Sequence, residues 1–485
     1  MDVEANARQA VSVARESASS AGAPWMILVL LSVAQFMVII DATVVNVALP
    51  SIGKGLRFAT AADLQWVVTA YVLVTGGLTL LGGRLTDVLG RRSLFLTGLL
   101  VFTVASLATG LAPSPGFIIA SRVVQGLGAA MLTPAALSII ATTFVGQRRA
   151  TAFAVWGALG AGGSAVGVVL GGVLTSWLGW QWVFFINVPI GAAGAVAALL
   201  VLPATQRGGG KLRDLDLGGA ALMVAGLATL VFTITSAASH GWSSAQTLVS
   251  LAVAAGLLTG FALVERRAGK PIVPPSTWRV RSLVSGNAVF FGASAVMGGV
   301  FFLIFLYLQR VLGAMAWQAG LAFLPLAVAV GVGAQIASRL VSHAGVRALL
   351  LIGLGIEAAG ALVLALTPTH AGYVTTVLPG FLLLGTGLGF SFAGAPIVVM
   401  ADVADKDSGM ASGLMQTAHE MGISLGVALL SAITTAVAIQ AGLAAGYRQS
   451  MLVAATIAGL LAVFSLTVVP AVRPAGSTKA RLHGG

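Results

Sequence analysis

Few side chains in this 485-residue sequence could do chemistry, and the candidates sit inside long apolar runs. Asp41 lies in the run 26–50, within the stretch Asp41-Ala42-Thr43-Val44-Val45-Asn46-Val47-Ala48-Leu49-Pro50. Counted from residue 26 it is about 22 Å along a helix, well inside a hydrocarbon core of ~30 Å. An ionisable group at that depth costs at least ~2.5–3.5 kcal/mol on insertion scales, so it faces a bundle interior or a wet cavity. Arg122 is a second deep charge, with Gln125 almost one helical turn beyond it. Among the 14 Asp and Glu residues, only Glu357 and Glu420 lie comparably deep. A carboxylate facing a buried cation can exchange a salt bridge for a proton. His419 adds a group that titrates near neutrality, but neighbouring helical positions point ~100° apart, so His419 and Glu420 face different surroundings. The plainer alternative for each of these residues is helix packing.

The elements that must carry these groups are membrane helices. The chain is 58% hydrophobic and 8% charged, with a mean hydropathy of +1.00, whereas soluble proteins carry about 25% charged residues. Continuous runs of Val, Leu, Ala and Gly, rather than ~10-residue alternating segments, exclude a strand-built barrel. The 62 glycines suit close helix contact in lipid. The runs number about fourteen spans. They lie near 26–49, 64–85, 94–112, 117–144, 152–176, 182–202, 217–238, 246–264, 284–309, 317–338, 348–366, 373–401, 409–438 and 450–470.

Charge placement orients them. Of the 26 Lys and Arg residues, Arg122 is within a span and only Lys54, Arg57, Arg310 and Arg448 fall on the side away from the termini. By the positive-inside rule both termini are cytoplasmic. The net charge of +12 then follows from topology and implies no nucleic acid. The expected divisions are a cytoplasmic tail at 1–25, a six-helix bundle at 26–202, inner linkers with an inserted helix pair at 203–283, a second six-helix bundle at 284–470 and a cytoplasmic tail at 471–485. The first tail is polar, lacks a signal peptide's apolar core and reads as disordered or interfacial. The inserted pair holds no deep charge and reads as lipid-facing or accessory. Two six-helix halves are a layout of transporters built from an internal repeat.

Further motifs narrow the class. Between the second and third spans stands Gly83-Arg84-Leu85-Thr86-Asp87-Val88-Leu89-Gly90-Arg91-Arg92. Its glycines let helix ends approach, and Asp87 can cap a helix or bridge to the arginines. Span five carries Gly163, Gly167 and Gly171 at four-residue spacing, a small-residue face for close helix contact. Span six opens on Gly179-Trp180-Gln181-Trp182-Val183-Phe184-Phe185-Ile186-Asn187-Val188-Pro189-Ile190-Gly191. The loop resembles the pattern G-x-L-a-D-r-x-G-r-r of the major facilitator superfamily. The helix with Arg122, Gln125, Gly126 and Gly128 resembles that superfamily's l-x-x-x-R-x-x-q-G-x-g element. The stretch from Asp41 to Pro50 is similar to the D-x-T-v-v-n-v-A-L-P motif of its drug:proton antiporter branch, and the span-six sequence looks like that of the fourteen-span subgroup. The second half agrees mainly in span layout and in Gly409-Met410-Ala411-Ser412-Gly413-Leu414. Three positions depart from the pattern: Val88 where a basic residue is usual, His419-Glu420 where Arg-Gln is common, and Val168 in place of the proline of an antiporter element. Valine restores a backbone N–H and removes a kink.

The resemblance implies an all-α polytopic protein of the major facilitator fold in a bacterial plasma membrane, working as a monomer. It implies proton-coupled efflux of amphipathic drugs or antibiotic-like metabolites by alternating access, with protons, a hydrophobic small molecule and the bilayer as partners. Asp41, Arg122 and Glu420 would couple protons; Asn46, Gln125 and His419 would line the substrate cavity. Gly83, Asp87, Gly90, Arg91 and Arg92 would form a gating loop. No cofactor is expected, the proton gradient being the driving force. A symporter or exporter of a small endogenous metabolite is the alternative within the same fold. An enzyme or ATP-driven pump is disfavoured, since no G-x-x-x-x-G-K-S/T loop is present. No metal site is expected either, because cysteine is absent and His240, His343, His370, His419 and His483 are scattered.

Overall fold

The computed structural model describes residues 2–59, 61–144, 146–203, 216–267, 275–366, 372–403 and 408–470, and among them every regular element is a helix. The first half comprises α1 (Asp2–Gly55), α2 (Ala61–Leu64), α3 (Trp66–Leu89), α4 (Arg91–Gly110), α5 (Pro115–Thr143), α6 (Gly146–Trp177), α7 (Trp182–Phe185) and α8 (Asn187–Val201). Next come α9 (Leu217–His240) and α10 (Ala245–Arg267). The second half comprises α11 (Arg281–Arg310), α12 (Ala316–Ala322), α13 (Leu324–Ala365), α14 (Leu378–Met400), α15 (Ser408–Ala441) and α16 (Leu443–Thr467). The linkers expected at 204–215 and 268–274 and the tail at 471–485 lie outside the described residues.

Among the described residues, 13 helical segments are long and apolar enough to cross a membrane, by length and composition. The other expected span is α6, a continuous 32-residue helix that includes the apolar stretch Val166–Trp177. α13 contributes to two spans separated by a break at Gly345, where φ is 77°, a value that suits a residue without Cβ. The loop expected between the second and third spans is a single residue, Gly90, with φ of 82°. Its N–H closes α3 on Thr86 O at 3.1 Å while its carbonyl opens α4 by accepting from Leu94 N at 3.0 Å. In the N-terminal tail the backbone is helical from Asp2, in a stretch rich in the helix formers Ala, Glu, Gln and Arg.

Within the first half, α1 packs on α6, α3 on α5, and α4 on α5 and α8. Within the second, α11 packs on α15, and α13 on α14 and α16. The four-residue glycine spacing of α6 has a definite partner: methyls at Gly163, Gly167 and Gly171 would press on Phe36, Thr43 and Val44 of α1. An adjoining face of α6 meets the other half, with Gly172 against Trp317 and the Val168 carbonyl against Gly320 of α12. Trp317 N donates to Ser176 Oγ at 3.2 Å, and Gln309 Nε2 on α11 donates to Val47 O on α1 at 3.0 Å. These contacts hold the halves together at the end remote from Pro24 and Thr467. Buried hydroxyls such as Thr79, Thr103 and Thr109 bond back to their own helix carbonyls, which satisfies them where lipid offers no partner.

The inserted pair corrects one expectation. α10 is outward-facing, with Leu248, Val249, Leu251 and Val253 exposed. α9 is not lipid-facing throughout: Val231 is fully buried and clusters with Leu73 of α3 and Met421 and Ala428 of α15. A helix without deep charge can bury an apolar face as readily in protein as in lipid, so composition alone does not separate the two.

Candidate functional site

The site begins with a close approach of α5 to α3. A methyl at Gly126 would lie 2.7 Å from the Tyr71 carbonyl oxygen, so glycine is what fits there. At that spacing Arg122 Nε donates to Val67 O at 2.9 Å, and its guanidinium lies over the Tyr71 ring, 4.1 Å from the centroid. Phe184 of α7 stands 5.9 Å away on another side. Arg122 Nη1 donates to Asp41 Oδ2 at 2.5 Å and to Gln125 Oε1 at 2.7 Å. The other carboxylate oxygen, Asp41 Oδ1, accepts from Gln125 Nε2 at 2.8 Å and from Asn187 Nδ2 at 2.9 Å. Both amides also donate to Ser106 Oγ of α4, at 2.9 and 2.8 Å.

Five helices thus converge on one carboxylate: α1 supplies Asp41, α3 the Val67 carbonyl and Tyr71 ring, α4 Ser106, α5 Arg122 and Gln125, and α8 Asn187. The group is buried, with Asp41, Ser106, Gln125 and Asn187 at 0% exposure and Arg122 at 1%. Its charges cancel, and the aromatic faces add attraction to the cation in a place where water cannot compete. Each partner of Asp41 is a hydrogen-bond donor suited to its ionised form. The arrangement can therefore hold one negative charge and release its cation when that charge is neutralised.

Asn187, Ser106 and Tyr71 are members that the sequence pattern did not single out. Asn187 carried a signal: it is an amide inside an apolar span, two residues before Pro189. Proline there lacks an N–H and crowds the carbonyl four residues back, and α7 gives way to α8 at Ile186, whose φ of −59° and ψ of −28° remain helical. Asn187 opens the new helix beside Asp41. Ser106 and Tyr71 gave no such signal, because hydroxyls and rings are common on any membrane helix.

The remaining candidates lie elsewhere. Asn46 is turned onto its own helix, donating to Ala42 O at 3.0 Å. Glu420 of α15 accepts from Gln416 Nε2 at 2.9 Å and packs against Gly76 of α3, outside the Asp41 cluster. The nearby Thr417 donates to Gly76 O at 2.9 Å, so this is a crossing point of the two halves. His419 faces its own half: Nδ1 is 2.7 Å from Ser294 Oγ, and its ring centroid is 5.4 Å from that of Phe290 and 5.7 Å from that of Phe392. Glu357 is fully buried between α13 and α14, with Ser391 Oγ at 3.4 Å. At the short connection, Arg92 Nη2 donates to Leu199 O of α8 at 2.7 Å, Gly83 has open space around it and Arg91 is half-buried. The Asp87 side chain lies outside the described residues.

Comparison with known proteins adds a family. The profile of the Major Facilitator Superfamily matches residues 31–427. The puromycin resistance protein pur8 of Streptomyces alboniger is 40% identical over 408 residues, 83% of this chain and 80% of that protein. The cephamycin export protein CmcT of Amycolatopsis lactamdurans is 41% identical over 401 residues, 81% of this chain and 82% of that one. In fold, the chain is similar to the crystal structure of peptide transporter POT in complex with sulfate, with a TM-score of 0.67 at 15% identity, covering 92% of this chain and 94% of that one.

Proposed function

This chain belongs to the major facilitator superfamily, a family of multi-pass membrane transporters rather than enzymes, and from that premise we propose that it exports amphipathic, antibiotic-like small molecules in exchange for protons. The reading rests on the Asp41–Arg122 pair, a buried carboxylate and cation joined at 2.5 Å. It is supported by relatives named for puromycin resistance and cephamycin export. Both termini are cytoplasmic in this reading, so the end at which Gln309 meets Val47 is the extracellular one. The transporter acts as a monomer, carries no cofactor and takes its energy from the proton gradient.

The cycle turns on one proton. While Asp41 is ionised, Arg122 is held by it, by Gln125 and by Val67 O. A proton from outside neutralises Asp41 and favours inward-facing states. Its release inside, with drug bound, restores the pair and favours the outward-facing state. Each half-cycle thereby links a change of charge to a change of access.

The test is substrate-driven proton movement in vesicles carrying the reconstituted protein, across a chemically varied antibiotic panel. Wild type moves protons when substrate is supplied, and Asp41→Asn does not. Unchanged coupling in Asp41→Asn would remove Asp41 from the mechanism.

A further inference from the structure

The inserted helix α9 lies along the seam between the two halves. It runs antiparallel to α3, with Ala220 beside Leu81, Val224 against Gly77, Val231 beside Leu73, and Thr235 at Gln65. A methyl at Gly77 would come within 2.6 Å of Val224 Cγ2, so the two helices are as close as glycine allows. α15 follows the same stretch of α3 from the other half, with Gly413 at Leu80, Thr417 at Gly76 and Ser431 at Gln65. From Leu81 to Gln65 the α3–α15 seam is therefore covered by α9.

One end of this three-helix seam is tied by a single amide. Gln65, at 0% exposure, precedes α3 at the end where Val47 meets Gln309. Its Nε2 donates to Thr235 Oγ1 of α9 at 2.5 Å, and its Oε1 accepts from Ser431 Oγ of α15. Thr235 and Ser431 are themselves buried. One side chain thus joins the first half, the inserted pair and the second half at the closed end.

We propose that α9 is a working part of the gate: it seals the α3–α15 seam against the bilayer and, through Gln65, Thr235 and Ser431, latches the closed end. The proposal rests on the alternating-access reading, in which the halves separate at this end to release substrate. Separation pulls Ser431 away from Gln65 and leaves its amide oxygen seeking a partner, so the latch favours the closed end until substrate binding and proton release overcome it.

The chain contains no cysteine, so one introduced thiol reports alone. Ala316→Cys places it at the α6–α12 contact, where Ala316 is 8% exposed and its carbonyl faces Gly172. The rate of labelling by a membrane-impermeant maleimide, with and without substrate, then measures opening. Thr235→Val should speed labelling about fivefold, the shift expected from losing one buried hydrogen bond, and Ser431→Ala should do the same from the other half. Thr235→Ser should restore the wild-type rate. Thr229→Val is the control, because Thr229 is half-buried on the same helix and its hydroxyl bonds back to Ala225 O of α9 rather than across the seam. Equal rates in wild type and Thr235→Val, or equal acceleration by Thr229→Val, overturn the latch while leaving transport intact. A thiol that never responds to substrate in any variant overturns alternating access, and the latch with it.

Discussion

Asp41 and Arg122 stand 81 residues apart in sequence and meet at 2.5 Å between Oδ2 and Nη1 in the interior of the first half. A buried ion pair of this kind is a poor device for stability, because desolvating both charges offsets most of their attraction. In the proposed cycle its value lies in what one proton does to it. Neutralising the carboxylate leaves a buried guanidinium without its counter-charge, an imbalance that a change of conformation relieves. The other donors to Asp41, on Gln125 and Asn187, set the geometry in which that exchange occurs.

The pair should behave as a unit. Removing one partner strands the other, so Arg122→Ala is expected to destabilise the protein by about 3–5 kcal/mol. The Asp41→Asn, Arg122→Gln double variant should lose much less than the sum of its single substitutions, since neither charge is then left alone. Unfolding in detergent for the four proteins of the cycle measures this. Additive losses would mean that the two residues are not coupled.

Asn187 should matter despite being uncharged. Its Nδ2 bonds both Asp41 Oδ1 and Ser106 Oγ, and Asn187→Ala leaves those buried groups short of a donor, at about 1–3 kcal/mol. Asn187→Asp should be worse, because it sets a second carboxylate against the first. Thermal melting and substrate-driven proton flux report the two effects. An Asn187→Asp protein as stable as Asn187→Ala would show that the amide is not directed at Asp41.

Glu420 and His419 should fail differently, since one faces α3 at Gly76 and the other faces Ser294, Phe290 and Phe392. With His419 read as a substrate-cavity residue, His419→Ala is expected to raise the KM for substrate about tenfold, with the maximal rate largely kept. Glu420→Gln should instead reduce protons moved per substrate while leaving KM within about twofold. Transport kinetics with simultaneous proton recording separate them, and identical profiles would place both residues in one role.

Much of this architecture is local and therefore legible. A membrane helix must satisfy its backbone within itself and present apolar side chains over a fixed length, so the spans can be counted from residue order alone. Arg and Lys placement is similarly local, and deep charges such as Asp41 and Arg122 stand out because lipid makes them costly. The helical period also shows that His419 and Glu420 must part. Gly163, Gly167 and Gly171 announced a close contact through their spacing, although not that its partner was α1.

What the tertiary structure decided is partnership. Nothing in residue order says that Asn187 and Ser106 complete the bonding of Asp41, because a lone amide or hydroxyl on an apolar helix looks the same whether it meets a carboxylate or its own backbone. Asn46 illustrates the other outcome, bonding back to Ala42 O. α9 makes the point on the scale of a helix: apolar side chains serve equally against lipid and against protein, so only its docking beside α3 and α15 distinguishes a helix buried at the seam from one that faces lipid throughout. Asp41 was conspicuous by the energetic penalty of its charge. The donors that surround its carboxylate, two amides and the Arg122 guanidinium, reach it only because five helices converge there.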